Sequence, residues 1–416
     1  MEEHTMHPNK QNKIHANIQC GTTGMKQSCI LDININCRHI SVAGFLMLIL
    51  LCCIVPVSAL EPEKAKITIG VILPLSGDDS VAGSHLLQGI QVAADEINAD
   101  ETCRYQVDLQ VADDTGDPDR ALTLFKEMQT DSIPVVIGSY TTTLTLPMAR
   151  ETGKSDTTLL ISPQANGESL YGISPLFYQV NPPIFALAQF VSEWLAYTSD
   201  RPALVYVQDK YGESVLNHIL KGLIEQDFQI SGTYPVLPEE NDFSSFTRTI
   251  LDKAPDAIVI IMYDTRQIPL IRNISEAGYR GQVLLTESSC LENLEKEETD
   301  ALSRFPLFTI SAYTNLVPGD HSDRFVQSYQ EAFGNDPSKT LAGYGYDSMM
   351  LIADAFRNGN GEENITAEMI KEGLDNSRYY GVTGPKIFDM NHAPTSAMDR
   401  WGFKDGRFEL MTISLV

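Results

Sequence analysis

The first strong pattern in the chain is Ile67-Thr-Ile-Gly-Val-Ile-Leu-Pro-Leu-Ser-Gly77. Ile67, Ile69, Val71, Ile72 and Leu73 form a β-branched apolar run that stops at Pro74 and turn residues, which predicts a buried strand. From 81 to 98 the period changes. Leu86, Ile90, Ala93 and Ile97 recur at three- and four-residue spacing, which predicts an amphipathic helix. Val107, Leu109 and Val111 then alternate within a second strand over 105–112. The polar turn between first strand and helix lies at a strand's carboxyl end and a helix's amino end, where α/β sheets bind ligands.

The rest of the chain repeats this unit. Strands are expected over 133–137, 157–161 and 177–180, with helices over 121–128 and 144–151 between them. Asn181-Pro-Pro183 breaks the pattern, which then restarts with a helix over 184–197. Strands over 203–207, 232–236, 257–262, 282–286 and 308–312 alternate with helices over 213–226, 243–254 and 267–277. Helices over 323–333, 341–357 and 366–374 follow the second run of strands, so they are placed to return over the first. The tail turns at Asp405-Gly406 as a hairpin. The fold class expected is α/β, with two βα-repeat lobes facing each other across a cleft.

Composition narrows the function. The 416 residues suffice for two cores, and 43% hydrophobic with 20% charged residues marks a globular chain. A formal charge of −25 argues against nucleic acid, which needs a basic surface. Val42 to Val57 is the one long apolar run, short for a membrane span and suited to a signal-peptide core, with Val57-Ser58-Ala59 as a cleavage site. Residues 1–59 are thus expected to be a leader that is cleaved, lipidated at Cys52 or Cys53, or retained as an anchor. Five of the seven cysteines lie at or before this run, leaving Cys103 and Cys290 and no disulfide or zinc framework. Asp113, Thr115 and Asp117 alternate like a calcium loop, but Pro118 and Leu124 occupy its sixth and twelfth positions, so a turn before a helix is expected. His85, His218, His321 and His392 read as surface residues. Phosphate-loop, dinucleotide, zinc-protease and nucleophile-elbow signatures are absent.

The segment Ile69-Gly-Val-Ile-Leu-Pro-Leu-Ser-Gly77 with Gly83, Gly89 and Ala94-Asp-Glu-Ile-Asn98 resembles the opening of the periplasmic binding proteins of type I. Val136-Ile-Gly-Ser-Tyr-Thr-Thr-Thr143, Ile161-Ser-Pro-Gln-Ala-Asn166, Asp209-Lys-Tyr-Gly-Glu213 and Tyr344-Gly-Tyr-Asp347 extend the likeness. It runs from Lys66 to Val416, and its nearest branch is the branched-chain amino acid and amide receptors of ABC importers.

The resemblance implies two Rossmann-like lobes joined by three crossovers, with 66–182 and 312–397 in the first and 183–311 and 398–416 in the second. It implies a non-enzymatic, extracytoplasmic receptor without cofactor or metal, expected to be a monomer, that hands a small amino acid, amide or urea-like ligand to an ABC permease; the alternatives are a ligand-sensing ectodomain of the same fold and a small-amide hydrolase. By the same resemblance, Tyr140, Thr141 and Thr142 in one loop and Gln164, Ala165 and Asn166 in another hold the ligand carboxylate with hydroxyls and backbone N–H groups. Tyr211 supplies an aromatic and Glu287 the acid for an ammonium, a contact of about 1.5–3 kcal/mol. Asp264 stands where relatives often carry tyrosine, and Ala82 or Ser84 where they carry an aromatic, which implies a roomier and more polar pocket. Each position has a plainer reading as well. Thr141, Thr142 and Asp264 fit helix caps, Tyr211 fits packing, and Glu287 fits a surface or hinge carboxylate.

Overall fold

A β-branched run flanked by helices buries best in the middle of a parallel sheet, and β1 (Ala65–Leu73) does so. The computed structural model describes residues 64–240, 242–286, 300–312, 320–338, 340–358, 365–394 and 398–411. The leader, including its apolar core, lies outside them.

The first sheet has the order β2-β1-β3-β4-β5, with β2 (Tyr105–Asp113), β3 (Val135–Gly138), β4 (Leu159–Ser162) and β5 (Phe177–Gln179) all parallel. Helices α1 (Ser80–Ala99), α2 (Pro118–Thr130) and α3 (Thr142–Thr152) connect its strands. The aspartates that mimic a calcium loop do turn work: Asp117 caps α2 by accepting from the backbone N–H groups of Asp119 at 2.8 Å and Arg120 at 3.3 Å.

The second sheet is built from α4 (Ile184–Thr198), β6 (Pro202–Val207), α5 (Lys210–Glu225), β7 (Gly232–Val236), α6 (Ser244–Leu251), β8 (Ala257–Ile261), α7 (Asp264–Glu276), β9 (Gln282–Thr286) and β10 (Leu307–Ala312). Its strands are parallel from β7 to β10, and an antiparallel hairpin of β13 (Met398–Lys404) and β14 (Arg407–Leu410) extends the β10 edge. That hairpin turns at Asp405 and Gly406, both at positive φ (51° and 89°), as a two-residue loop that follows strand twist requires.

Helices α8 (Asp320–Phe333), α9 (Leu341–Asn358) and α10 (Ala367–Asp375) leave the second sheet and pack in the first core, through Phe325, Tyr329, Met349, Ile352 and Ile370. The α1–α9 contact is backbone to backbone. A Cβ on Gly89 would lie 1.9 Å from the Ala342 carbonyl oxygen, and one on Gly345 would lie 2.1 Å from that of Leu86. Two glycines, one per helix, make this approach sterically feasible. The chain therefore passes between two apolar cores three times: after Val180, between β10 and α8, and before β13.

The structure adds a short hairpin, β11 (Tyr379–Gly381) and β12 (Gly384–Lys386), that the hydrophobic pattern does not announce. Strands of three residues, one of them a buried lysine, carry no alternation to read. Two of the histidines read as surface residues are packed instead. His392 stacks on Tyr178 at 4.3 Å, and His218 sits 6.2 Å from Phe185.

Candidate functional site

Parallel sheets bind ligands outside the strand carboxyl ends, at the point where the strand order reverses. In the first sheet that point is the β1/β3 pair, and in the second the β6/β8 pair. The loops leaving β3, β4, β6 and β8 line one small cavity that is partly open to solvent. Its walls are Tyr140, Thr141 and Thr142, then Gln164, Ala165 and Asn166, then Tyr211, and finally Met262 and Tyr263.

The first wall is organised by hydrogen bonds. β3 ends fully buried, and Ser139 anchors the turn: its hydroxyl donates to Asp114 Oδ2 at 2.6 Å and its N–H to Thr145 Oγ1 at 3.2 Å. Burial raises the Asp114 carboxyl above its ordinary range, and the Ser139 hydroxyl opposes that. Thr141 caps α3, its Oγ1 accepting from the Leu144 N–H at 3.3 Å. Thr142 Oγ1 accepts from the Gly167 N–H at 3.1 Å and so ties the two loops together. A threonine hydroxyl that accepts through oxygen keeps its proton to donate. Capping and ligand binding are thus compatible at both positions. Gln164 Oε1 is buried with no hydrogen-bond partner among the described residues.

The second wall is aromatic. Asp209 caps α5, its Oδ1 accepting from the Gly212 N–H at 2.8 Å, and this sets Tyr211 in the first helical turn, 5% exposed. Met262 and Tyr263 follow β8 directly, and Tyr263 occupies the N-cap position of α7. Tyr211 and Tyr263 stack at 5.2 Å, and Tyr140 from the first wall meets Tyr263 at 6.4 Å, so the two walls touch through rings. The Tyr263 hydroxyl is buried beside the Asp209 carboxyl. Burial first, and then the charge of Asp209, hold it well above the ordinary phenol range. Asp209 is itself raised by burial, against the pull of the Gly212 N–H, the Tyr263 hydroxyl and Arg266. Asp79, just before α1, is raised by burial as well, and Arg266 of α7 is the cation that opposes it.

Seven positions expected from the sequence surround this cavity: Tyr140, Thr141, Thr142, Gln164, Ala165, Asn166 and Tyr211. Glu287 lies outside the described residues. Of Asp264 only the backbone is described, as the first residue of α7. Sequence reasoning passed over Met262 and Tyr263. It counted Met262 into the strand, and the resemblance pointed to Asp264, whose side chain lies outside what is described. The signal was available, since the first residues past a buried strand's carboxyl end are those that face such a cavity. No group of three His, Cys, Asp or Glu side chains able to hold a metal occurs among the described residues. No described helix is long and apolar enough to cross a membrane.

A family model described as "Periplasmic binding protein" matches residues 66–404. The Leu/Ile/Val-binding protein homolog 3 of Brucella melitensis is 24% identical over 225 residues, 53% of this chain and 61% of that protein. Among solved structures, the substrate-binding protein LivJ of Streptococcus pneumoniae in complex with isoleucine superposes with a TM-score of 0.73 at 21% identity, covering 83% of this chain and 99% of that one. An ABC transporter solute-binding protein of R. palustris in complex with 4-hydroxybenzoate gives 0.75 at 15% identity, covering 84% and 96%. At these identities the structural likeness bears on the fold, which is shared.

Proposed function

Because this chain belongs to the periplasmic binding protein family, we propose that it captures a small carboxylate-bearing solute, an amino acid or a related amide or urea-like compound, and presents it to an ABC permease. The observation that carries this is the meeting of four strand-end loops, two from each sheet, around one cavity. The Thr141 and Thr142 hydroxyls and the 164–166 loop would receive the carboxylate. Tyr211, Met262 and Tyr263 would cover the side chain, with Glu287 and Asp264 available to an ammonium or amide. Residues 66–182 with 312–397, and 183–311 with 398–416, would act as the two lobes and close on the ligand by hinge motion. On this reading the protein is a non-enzymatic monomer, exported past the cytoplasmic membrane by a leader within residues 1–59.

A second reading has its own support. Three tyrosine rings and a methionine sulfur in one cavity suit a flat aromatic carboxylate. Titration calorimetry against L-leucine, L-isoleucine, 4-hydroxybenzoate, primary amides and ureas separates the two. Heat with the amino acids or amides supports the first reading, and heat with the benzoate alone replaces it by the second. Silence with the whole panel removes both.

A further inference from the structure

The 164–166 loop is tied to the segment that leads out of the first core. Asn181 Nδ2 donates to the Gln164 carbonyl at 3.0 Å, Gln179 Nε2 to the Ala165 carbonyl at 3.2 Å, and the Ile184 N–H to the Asn166 carbonyl at 3.1 Å. In return Asn166 Nδ2 donates to the Pro182 carbonyl at 3.0 Å. Three successive carbonyls of a cavity-lining loop thus end on residues 179–184, which join β5 to α4 and pass from one apolar core to the other. Gln179 and Asn181 are buried, so these bonds are not exchanged with solvent at little cost.

The same segment is gripped from behind. The Tyr344 hydroxyl donates to Asn181 Oδ1 at 3.1 Å. Lys386 Nζ donates to the carbonyls of Val180 at 3.1 Å and Thr383 at 2.8 Å, and lies 5.3 Å from the Tyr344 ring centroid. Asp347 fixes the turn that carries Thr383, accepting from the N–H groups of Val382 at 2.9 Å and Thr383 at 2.8 Å and from the Tyr379 hydroxyl at 3.0 Å. Tyr344, Asp347 and Lys386 are all buried. A buried lysine is costly unless its donors are placed on acceptors. Here they define where the Val180 carbonyl stands, a geometry an apolar residue of the same size cannot impose.

We propose that residues 179–184, clamped by Tyr344 and Lys386, are a positioning element for the cavity: they set where the 164–166 loop stands and couple its position to the passage between the cores. Asn181 is its central residue, linking Tyr344 on one side to Gln164 on the other. It acts through the loop and is not itself in the cavity wall. The part of this proposal that concerns affinity rests on the binding function proposed above.

The test compares three variants of the full exported chain. Asn181→Ala removes both links. Tyr344→Phe removes one hydroxyl and keeps the ring. Val107→Ala, in β2 of the same sheet, serves as a control for general loosening. Amide hydrogen exchange is followed without ligand on peptides covering 163–170. The expected result is exchange about tenfold faster in Asn181→Ala and about threefold faster in Tyr344→Phe, with little change in the control at matched distance below its melting temperature. Exchange in both variants equal to the control overturns the proposal, and Tyr344→Phe decides the matter alone if Asn181→Ala does not fold. Affinity is then measured for L-isoleucine and 4-hydroxybenzoate. A roughly tenfold weaker Kd in Asn181→Ala with an unchanged Kd in the control supports the coupling, while faster exchange with unchanged Kd overturns it. If the wild-type protein binds neither probe, the binding reading for these ligands fails, and the exchange result still decides the positioning role.

Discussion

The two walls of the cavity solve one problem in different ways. The wall from the first sheet is a set of short polar loops held by hydrogen bonds to buried groups behind them, as with Ser139 on Asp114 and Gln164 on Asn181. The wall from the second sheet presents rings that hold one another, Tyr211 against Tyr263. Hydrogen bonds are directional and fix an atom's position, whereas ring packing fixes a surface and tolerates small shifts. A directional wall suits an end of the ligand common to many solutes, such as a carboxylate. An adaptable wall suits the part that varies.

The largest effect is expected from the groups behind the first wall. Asp347→Ala strips the acceptor from Val382, Thr383 and Tyr379 and leaves Lys386 without its counter-charge. A loss of about 3–5 kcal/mol in urea unfolding is expected, as for other broken buried charge networks. A loss below about 1 kcal/mol would mean the network is not what holds the wall.

Thr142→Val comes next. It keeps the shape but deprives the Gly167 N–H of its acceptor, at an expected cost of about 1–3 kcal/mol. Ligand affinity, read by calorimetry, should fall with it, because the two loops lose their tie. Stability falling while affinity holds would separate the tie from the site.

A smaller effect should appear on acidification. Burial holds the His392 imidazole below its ordinary 6.5, and its carbonyl accepts from the Gln179 N–H at 3.0 Å beside the first wall. With the folded value depressed, the unfolded chain binds a proton that the folded chain refuses. Stability from this group is therefore full above about pH 6.5 and declines as pH falls toward the folded value. The melting temperature of the wild-type protein should drop more between pH 7 and 5.5 than that of His392→Phe, which keeps a ring on Tyr178. Parallel pH profiles would refute the assignment.

The smallest stability effect is expected in the second wall. Tyr263→Phe removes a buried hydroxyl that faces the Asp209 carboxyl and leaves the ring in place. Stability should fall by about 0.5–1 kcal/mol, while affinity falls about three- to tenfold if the ligand also engages that hydroxyl. Loss of stability comparable to that of Thr142→Val would erase the distinction between the walls.

Much of this was legible in the chain itself. The strands of the first sheet and the loops after β3, β4 and β6 followed from apolar runs that end in polar turns, because a parallel strand buried on both faces leaves a local and unambiguous pattern. Tyr140, Thr141, Thr142 and Gln164 lie on those loops, and it was the family resemblance that named them as ligand contacts. Tyr263 was not named, because the apolar pattern only marks where the strand ends and does not say which of the next side chains turns toward the cavity. Lys386 reaches a carbonyl 206 residues away at Val180, and Tyr344 reaches Asn181 across 163, and no local period links a lysine in a three-residue strand to a carbonyl in a distant turn.

The sequence by itself determined that strands and helices alternate, that the pattern breaks at Asn181-Pro-Pro183, and that each strand ends in a polar loop. Those are consequences of local backbone preference and of which faces repel water. Only the tertiary structure decided that the break is a clamped passage, that the Gln164 carbonyl faces Asn181, and that Lys386 is buried behind them. The cost of burying a polar group depends on which acceptor stands within 3 Å of it, and that is settled by how the chain returns.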